Sequence, residues 1–509
     1  MYFMIDYIDN QLNRITMYRL VLYYLIALLG IAVIFSFSGL LTYDPYAILF
    51  STAFLLVVSL VTNQIFAKSF RVATNIESAY ITALILALII SPIQSLNDLW
   101  FLGWAAVLAM ASKYILAYKG KHFFNPVAIA VALTYYVVNQ SASWWIANGP
   151  MLPAVLLGGL LIVRKIGKAR MVLSFFITGL VVTLIGTTLT GSDFIASIQK
   201  LALYSPAFFF AFTILTEPLT TPPTQKLQIY YGALVGLLFV PQFHIGSFYV
   251  TPELSMVVGN IFSYIVSPKE KLVLRLKEKN RLASDTYEFI FSIPRRFTFV
   301  PGQYMEWTLS HDRPDSRGNR RFFTLASAPS ERTLRLGVKF YENSSSYKKA
   351  MLAINKDTEI VASQLAGDFI LPKNPTQKCV LIAGGIGITP FRSMVKHLLD
   401  THRRRPITIF YTAKTIDDIL YKDVFDRAQQ ELGIRTIFTI TDNSKVPPSW
   451  TGKVGRFNAE LVQSTIPDYQ DCIFYISGSR GMVEGFKNIL RRMGISNSQI
   501  KTDLFSGLM

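Results

Sequence analysis

Metal-ligating residues are scarce in this chain. Only two cysteines, Cys379 and Cys472, stand among 509 residues, which excludes an iron–sulfur cluster on the usual four thiolates and a disulfide framework. Histidine is nearly as rare, with five in all. Charge is thin too: 16% of residues are charged against 51% hydrophobic, and the mean hydropathy is +0.36, too apolar for an all-soluble chain. The scarcity is uneven. Residues 1–267 hold 13 Lys/Arg and 8 Asp/Glu, whereas residues 268–509 hold 37 and 24. The chain therefore reads as an apolar part fused to a polar one, with net charges of +5 and +13. That excess suits anionic lipid or phosphorylated cofactors and does not call for nucleic acid.

Ten apolar runs fall in the first part, near residues 18–40, 45–67, 78–92, 98–114, 125–139, 150–163, 171–190, 203–216, 228–241 and 251–267. They are expected to form a polytopic α-helical membrane domain. A helix needs about 20 residues to cross a 30 Å hydrocarbon core, so the third, fifth, sixth, eighth and ninth are expected to be tilted, kinked or broken. With the N-terminus inside, one set of loops carries Lys68 and Arg71, then Lys113, Lys119 and Lys121, then Arg164, Lys165, Lys168 and Arg170, then Lys226. The opposite set carries only Lys200. This positive-inside asymmetry predicts a multi-pass cell-membrane protein with both termini cytoplasmic. The first run follows Asp6, Asp9 and Arg14 without a small-residue cleavage site and reads as an uncleaved anchor.

Ten divides into five plus five, and an odd number per half would invert the second half relative to the first. The third and eighth runs both end at a proline, Pro92 and Pro218, and the fifth and tenth both open with polar-Pro, Asn125-Pro126 and Thr251-Pro252. The latter pair predicts helix N-caps with proline in the first turn. A bland reading, in which X-Pro marks any helix end, stands beside the inverted five-helix repeat. His122 and His244, the only histidines of this part, fall on opposite faces in this topology. Roughly 30 Å apart, they cannot share a haem iron, and each reads as an interfacial or hydrogen-bonding residue.

From Leu272 the pattern becomes short alternating strands, as in 286–293 and 333–340, predicting a small antiparallel β-barrel over residues 268–374. Residues 375–509 turn to βα units. A buried strand at 380–383 leads into a glycine turn, Gly384-Gly385-Ile386-Gly387-Ile388-Thr389-Pro390, and a helix at 391–400. Further strands follow at 407–411, 435–440 and 472–477. That is a doubly wound nucleotide-binding α/β layout, in which glycines let the backbone approach a pyrophosphate at a helix N-terminus. Taken alone, the glycine turn serves any tight strand-to-helix connection equally well.

Two resemblances sharpen the reading. The runs 75–86, 113–126, Thr216-Glu217-Pro218-Leu219-Thr220-Thr221-Pro222 and 231–236 resemble the family of the Rnf complex D subunit and the B subunit of the sodium-pumping NADH:quinone reductase, across roughly residues 45–265. That family carries covalent FMN on a Thr in a Ser-Gly-Ala-Thr type loop. Here the loop after the fifth run reads Asn139-Gln140-Ser141-Ala142-Ser143-Trp144-Trp145, so covalent FMN is not expected. In the second part, Pro301-Gly302-Gln303-Tyr304, Arg321-Phe322-Phe323-Thr324-Leu325-Ala326-Ser327, the glycine turn, and Ser477-Gly478-Ser479 before Met482 resemble the ferredoxin–NADP reductase (FAD-binding FR-type) family, without a ferredoxin domain.

The second resemblance implies roles. Tyr304 belongs to the flavin site; Arg321 neutralises the flavin diphosphate, with Arg320 as rival or mere surface charge; Phe323 packs on the isoalloxazine; and Thr324 hydrogen-bonds near N5. Phe323 as barrel core and Thr324 as an ordinary strand residue are the bland alternatives. The family's Gly-x-x-Ser diphosphate stretch is reduced to Asn343-Ser344-Ser345-Ser346, leaving Ser345 or Ser346 as donors. Gly384, Gly385, Gly387 and Thr389 line the nucleotide, and Gly478 closes over the nicotinamide. Ser477 stands where the family has cysteine, which removes a polarisable sulfur. Phe505, in Asp503-Leu504-Phe505-Ser506-Gly507, resembles the closing aromatic over the flavin, with a tucked-in terminal side chain as the alternative. Tyr411-Thr412-Ala413-Lys414 offers no acid for a 2′-hydroxyl and one lysine for a 2′-phosphate, so NADH and NADPH both stay open.

Together these readings predict a membrane-bound flavin oxidoreductase. It takes hydride from NAD(P)H onto FAD and passes electrons to a noncovalent FMN or riboflavin, or to a quinone, in the membrane domain, with coupled cation movement resting on fold analogy. Glu77 and Glu217, near short-helix ends, are candidates for an ion path or for snorkelling side chains. No metal site is predicted. The alternatives are a transporter or channel regulated by a cytoplasmic NAD(P)H-sensing flavin domain, and a reductase that is merely anchored by its apolar part.

Overall fold

The computed structural model describes residues 8, 11–12, 15–70, 76–118, 121–246, 248–267, 271–293, 297–311, 315, 319–342, 344–442, 446, 448, 450–455 and 457–503. Two compact units divide the chain at residues 269/270.

Every one of the ten apolar runs is helical. The helices are α1 (Met17–Phe37), α2 (Pro45–Ser69), α3 (Ile76–Ile89), α4 (Asp98–Ile115), α5 (Pro126–Val138), α6 (Leu152–Ile166), α7 (Ala169–Thr190), α8 (Phe194–Leu203), α9 (Ala207–Phe209, continued by a π turn at Phe210–Ile214), α10 (Gln225–Phe239) and α11 (Pro252–Val266). By length, the expectation of ten spans is met only in part. Among the described residues, three helices, α1, α2 and α7, are long and apolar enough to cross a membrane, or four if α8 and α9, bent by 59°, make one broken span. The bend falls at Ser205-Pro206, where proline cannot continue the ladder. Burial against other helices also makes a run apolar. In α3, for example, Ala79 and every residue from Thr82 to Ile89 are buried, so its apolar surface is spent on neighbouring helices and shows no amphipathic period.

Short helices that end inside an apolar bundle must satisfy their terminal backbone groups locally. At the end of α3, Trp144 N–H donates to Ile89 O at 2.7 Å and Ile146 N–H to Leu88 O at 3.2 Å, while Trp145 Nε1 donates to Ala87 O at 2.8 Å. The loop that lacks the flavin-attachment pattern therefore caps a helix. At the start of α5, Asn125 Oδ1 accepts from Val127 and Ala128 N–H; at the start of α11, Thr251 Oγ1 accepts from Leu254 N–H, with proline following in both. Both polar-Pro signals are thus true N-caps.

Small residues set the closest helix crossing. A Cβ on Gly232 would lie 2.3 Å from Met171 O and one on Gly236 2.3 Å from Phe175 O, so α10 lies on α7 backbone to backbone through a Gly-x-x-x-Gly seam. In the first half α4 packs on α2, where Gly103 faces the Phe54 ring. Counted by apolar runs, the second of each half packs on the fourth, and the fourth on the fifth.

The second unit carries two sheets. Strands β1 (Lys271–Ala283), β2 (Thr286–Ser292), β3 (Tyr304–Thr308), β4 (Arg320–Thr324), β5 (Thr333–Lys339) and β6 (Glu359–Ala366) form an antiparallel sheet in the order β4-β3-β6-β1-β2-β5. Its core is Phe289, Phe291, Met305, Trp307, Leu334, Leu336 and their neighbours. Among the described residues no ladder joins β4 to β5, so the sheet is open by its pairing and the expected barrel is not closed by strand hydrogen bonds. The two edges still approach, because Ala326 N–H donates to Arg335 O at 2.9 Å just beyond β4. Helix α12 (Ser346–Ala353) precedes β6.

Strands β7 (Cys379–Gly384), β8 (Ile407–Ala413), β9 (Arg435–Ile440), β10 (Lys453–Val454), β11 (Ile473–Ser477) and β12 (Ile500–Asp503) form a parallel sheet in the order β10-β9-β8-β7-β11-β12. Helices α13 (Thr389–Asp400), α14 (Lys422–Leu432), α15 (Ala459–Thr465) and α16 (Arg480–Arg492) alternate with its strands, as the βα reading predicts. Cys379 packs in the core on one face and Cys472 in the core on the other, so the two thiols are not disulfide partners. Burial pushes them up to about 12 and about 11.

Candidate functional site

Strand alternation decides which side chains of Arg321-Phe322-Phe323-Thr324 share a face. Arg321 and Phe323 lie on one side of β4, and Arg320, Phe322 and Thr324 on the other. Arg321 is buried, its guanidinium 5.1 Å over the Tyr347 ring, and Phe323 lies 6.1 Å from the same ring. Arg320 points away and pairs with Glu306 at 3.5 Å, which leaves Arg321 as the arginine of this cluster.

The Arg321 cluster is built to hold an anion. Ser345 caps α12, accepting from Lys348 N–H, and the first-turn Ser346 presents its backbone N–H at the positive end of the helix. One carboxylate already spans these groups. Asp315 Oδ1 lies 3.5 Å from Arg321 Nη2, and its Oδ2 accepts from Ser346 N–H at 3.1 Å. Ser346 Oγ in turn accepts from Asp315 N–H at 2.8 Å and lies 3.1 Å from His311 Nε2. The donor set therefore fits a diphosphate. Asp315, His311 and Tyr347 escape a motif-based reading because none lies in a recognised motif.

A second cluster joins the two sheets. Tyr304 and Thr324 are register partners on β3 and β4. Thr324 Oγ1 donates to Asp503 Oδ2 at 3.2 Å, and Ser477 Oγ donates to the same oxygen at 3.4 Å. Ser477 and Asp503 are themselves register partners on β11 and β12. Burial raises the Asp503 carboxyl to about 6, although both hydroxyls pull it down. Burial, with Asp368 and Asp503 nearby, pushes the Tyr304 phenol up to about 12. Asp503 opens the C-terminal motif that contains Phe505, yet its role becomes visible only when β12 is placed beside β11.

The glycine turn closes this cluster. A Cβ on Gly387 would stand 2.4 Å from Ser477 O and 2.6 Å from Gly478 N, so the β7–α13 turn and the β11–α16 turn touch backbone to backbone. Met482 fills the space beside Gly384 and Gly478, its sulfur 2.0 Å from an added Cβ on Gly384. Gly385 has φ +52 with open space around it, the conformation that favours glycine. Thr389 begins α13 and packs on Gly337 of β5. Of the sequence-derived residues, Thr324 and Ser477 thus bond Asp503 with Tyr304 nearby, and Gly384, Gly387 and Gly478 pack behind Ser477, while Arg321 and Ser346 bond Asp315 and Phe323 joins Arg321 at the Tyr347 ring. Phe505 lies outside the described residues. Lys414 is exposed at the end of β8.

No group of three or more His, Cys, Asp or Glu that could hold a metal occurs among the described residues. Glu77 lies 3.6 Å from Arg19. Glu217 is part of a polar knot: its carboxylate accepts from Asn125 Nδ2 at 2.8 Å and Thr220 Oγ1 at 3.2 Å and lies 3.4 Å from His122 Nε2. His244 Nδ1 lies 2.8 Å from Gly246 O. The two histidines have separate partners.

Residues 381–488 match the family model described as the oxidoreductase NAD-binding domain. The chain is 27% identical over 247 residues to a flavohemoprotein of Oceanobacillus iheyensis, covering 47% of this chain and 59% of that protein. It is 24% identical over 225 residues to a glycine betaine monooxygenase reductase subunit of Chromohalobacter salexigens, covering 43% and 60%. It is 28% identical over 153 residues to one subunit of the Na(+)-translocating NADH-quinone reductase of Yersinia pestis, covering 29% and 37%. The chain thus spans about 60% or less of the length of these relatives. Within the second unit, residues 381–488 thus carry the similarity to an oxidoreductase NAD-binding domain, and the relatives matched over the wider unit are named as a flavohemoprotein or as reductase subunits.

Proposed function

We propose that the chain is a membrane-bound NAD(P)H oxidoreductase whose second unit receives hydride on FAD and whose first unit passes the electrons to a noncovalent flavin or a quinone. The observation that carries this reading is the convergence of Thr324, Ser477 and the Gly387 turn on Asp503. It ties two hydroxyls to one titratable carboxyl by hydrogen bonds, with the glycine turn packed against the backbone of Ser477.

FAD, when bound, supplies a ring that accepts two electrons as hydride and can release them singly. The protein's part is placement and proton control. Arg321 and the α12 N-terminus with Ser345 and Ser346 hold the diphosphate, as charge-assisted donors do. Phe323 and Tyr304 provide aromatic surface for the ring, and Thr324 presents its hydroxyl toward the reacting edge. Gly384, Gly385, Gly387 and Thr389 leave room for the nicotinamide nucleotide, and Gly478 with Ser477 closes over it. Asp503 sets the hydroxyl hydrogens. Ionised, it accepts from both Thr324 and Ser477; protonated, it donates to one of them and frees that hydroxyl's hydrogen for another acceptor.

Membrane residence is supported by α1, α2 and α7 and by large apolar side chains exposed along them, including Ile34, Val57, Leu173, Ile177 and Leu184; patches of that kind are unusual on soluble surfaces. A relative named as part of a Na(+)-translocating NADH-quinone reductase supports a quinone as acceptor and a link to cation movement. Short, internally capped helices and the bend at Pro206 favour a second reading, a transporter regulated by the flavin unit. Detergent-purified full-length protein separates the two. Flavin bound beyond one FAD per chain, or NAD(P)H-dependent reduction of a quinone analogue, supports electron transfer. Solute flux without electron transfer supports the transporter.

A further inference from the structure

Just past Thr324 the chain is gripped from the other sheet's first helix. Arg392, in the first turns of α13, donates from Nη1 to Ala326 O at 2.9 Å, and the adjacent Ser393 donates from Oγ to Ser327 O at 2.6 Å. Both side chains are buried, at 4% and 0% exposure. Carbonyls two and three residues beyond the flavin-site threonine are therefore tied to the helix that begins at Thr389 of the nucleotide turn.

The grip is itself anchored. Glu331 takes the Arg392 guanidinium with both carboxylate oxygens, accepts from Ala328 N–H at 2.7 Å and lies 3.1 Å from Arg335 Nε, which reaches on to Glu288 at 2.8 Å. Burial alone would raise the Glu331 carboxyl, but Arg392, with the Ala328 N–H and Arg335, holds the group below its ordinary range. Tyr421 covers the guanidinium at 5.6 Å from a left-handed backbone with φ +56, a conformation costly for a tyrosine and kept only where the surroundings impose it. On the same seam Gly337 admits Thr389, Ile386 and the Tyr421 hydroxyl at 2.7, 3.0 and 3.2 Å from the position of an added Cβ.

We propose that Arg392 and Ser393 are positioning residues for hydride transfer: by holding the Ala326 and Ser327 carbonyls they fix the separation between Thr324 and the Gly385–Thr389 turn. Neither side chain needs to touch FAD or nucleotide. Their effect belongs to the distance between donor and acceptor rather than to binding, and hydride transfer is steeply sensitive to such placement. The bidentate contact with Glu331 and the simultaneous reach to Ala326 O require a planar fork, which lysine does not have.

The inference rests on the hydride-transfer reading and is tested with Ser393→Ala and Arg392→Lys in the detergent-solubilised full chain, by anaerobic rapid mixing with NADH and with NADPH. The expected result is a fall of about tenfold in the rate of flavin reduction at saturating nucleotide. FAD content and the nucleotide dissociation constant should be unchanged within about twofold, and the long-wavelength absorbance of nucleotide stacked on the ring should weaken. If Arg392→Lys fails to fold, Ser393→Ala carries the test. A rate unchanged in the folded variants, or a loss explained wholly by lost flavin or weaker nucleotide binding, overturns the inference. Failure of the unaltered chain to reduce flavin with either nucleotide would instead overturn the reading beneath it.

Discussion

Asp503 gives the sharpest test of the site chemistry. Its carboxyl is raised from 3.8 to about 6, chiefly because burial disfavours the charge. For a raised carboxyl, the folded state holds its proton over a pH range in which the unfolded chain has lost it. The stabilising contribution is therefore complete below about pH 4 and declines as pH rises toward 6. Above that, the ionised group costs the fold up to about 3 kcal/mol relative to a carboxylate in water. Asp503→Asn keeps the shape and an oxygen acceptor but cannot ionise. At pH 8 it should be more stable than the parent by up to about 3 kcal/mol, with the advantage vanishing near pH 4, measured by thermal unfolding of the flavin-bound chain. The same titration should appear in catalysis. A protonated Asp503 can donate to Thr324 and release the threonine hydrogen toward the site, so single-turnover reduction should slow several-fold as pH rises through about 6, the scale of one hydrogen bond. The nearby Tyr304 phenol stays protonated throughout, since burial has pushed it up to about 12. Asp503→Asn, whose amide can donate permanently, should hold the acid-side rate across the range. An inflection near 6 that survives in the variant, or lower stability at pH 8, would refute the reasoning.

Other consequences can be checked independently. Arg321→Ala removes the buried cation of the proposed diphosphate cradle and should weaken FAD binding roughly 10- to 100-fold, as expected for a charge-assisted contact, measured by equilibrium dialysis of flavin. Gly387→Ala forces a methyl within 2.4 Å of the Ser477 carbonyl and should cost about 1–3 kcal/mol with loss of NAD(P)H oxidation, whereas Gly385→Ala meets no atoms and should cost about 1 kcal/mol for its positive φ. Gly236→Val in the first unit would drive side-chain atoms into Phe175 O. The expected outcome is loss of a monodisperse peak in detergent chromatography.

Local patterning carried most of the architecture. Alternation and the βα rhythm placed β2, β5, β7 and β9 to within a residue, because both periods are written in consecutive side chains. All ten apolar runs proved helical, yet their number did not equal the number of membrane-length helices. Hydropathy cannot tell a side chain facing lipid from one facing another helix, and α3 is of the second kind. Motifs proposed Arg321 and the glycine turn, and strand alternation puts Arg321 and Arg320 on opposite faces of β4. Asp315, Asp503 and Arg392 stayed hidden for a different reason. Their contacts with Ser346, Thr324 and Ala326 lie 31, 179 and 66 positions away, and such pairings exist only after the sheets are assembled.

Hydride transfer to bound flavin is open to one direct measurement. Full-length protein, purified and supplied with FAD, should take up the flavin and lose its visible absorption band within seconds of anaerobic mixing with NADH or NADPH, in proportion to nucleotide added. Protein that stays colourless, or flavin that stays oxidised with both nucleotides in excess, would contradict it.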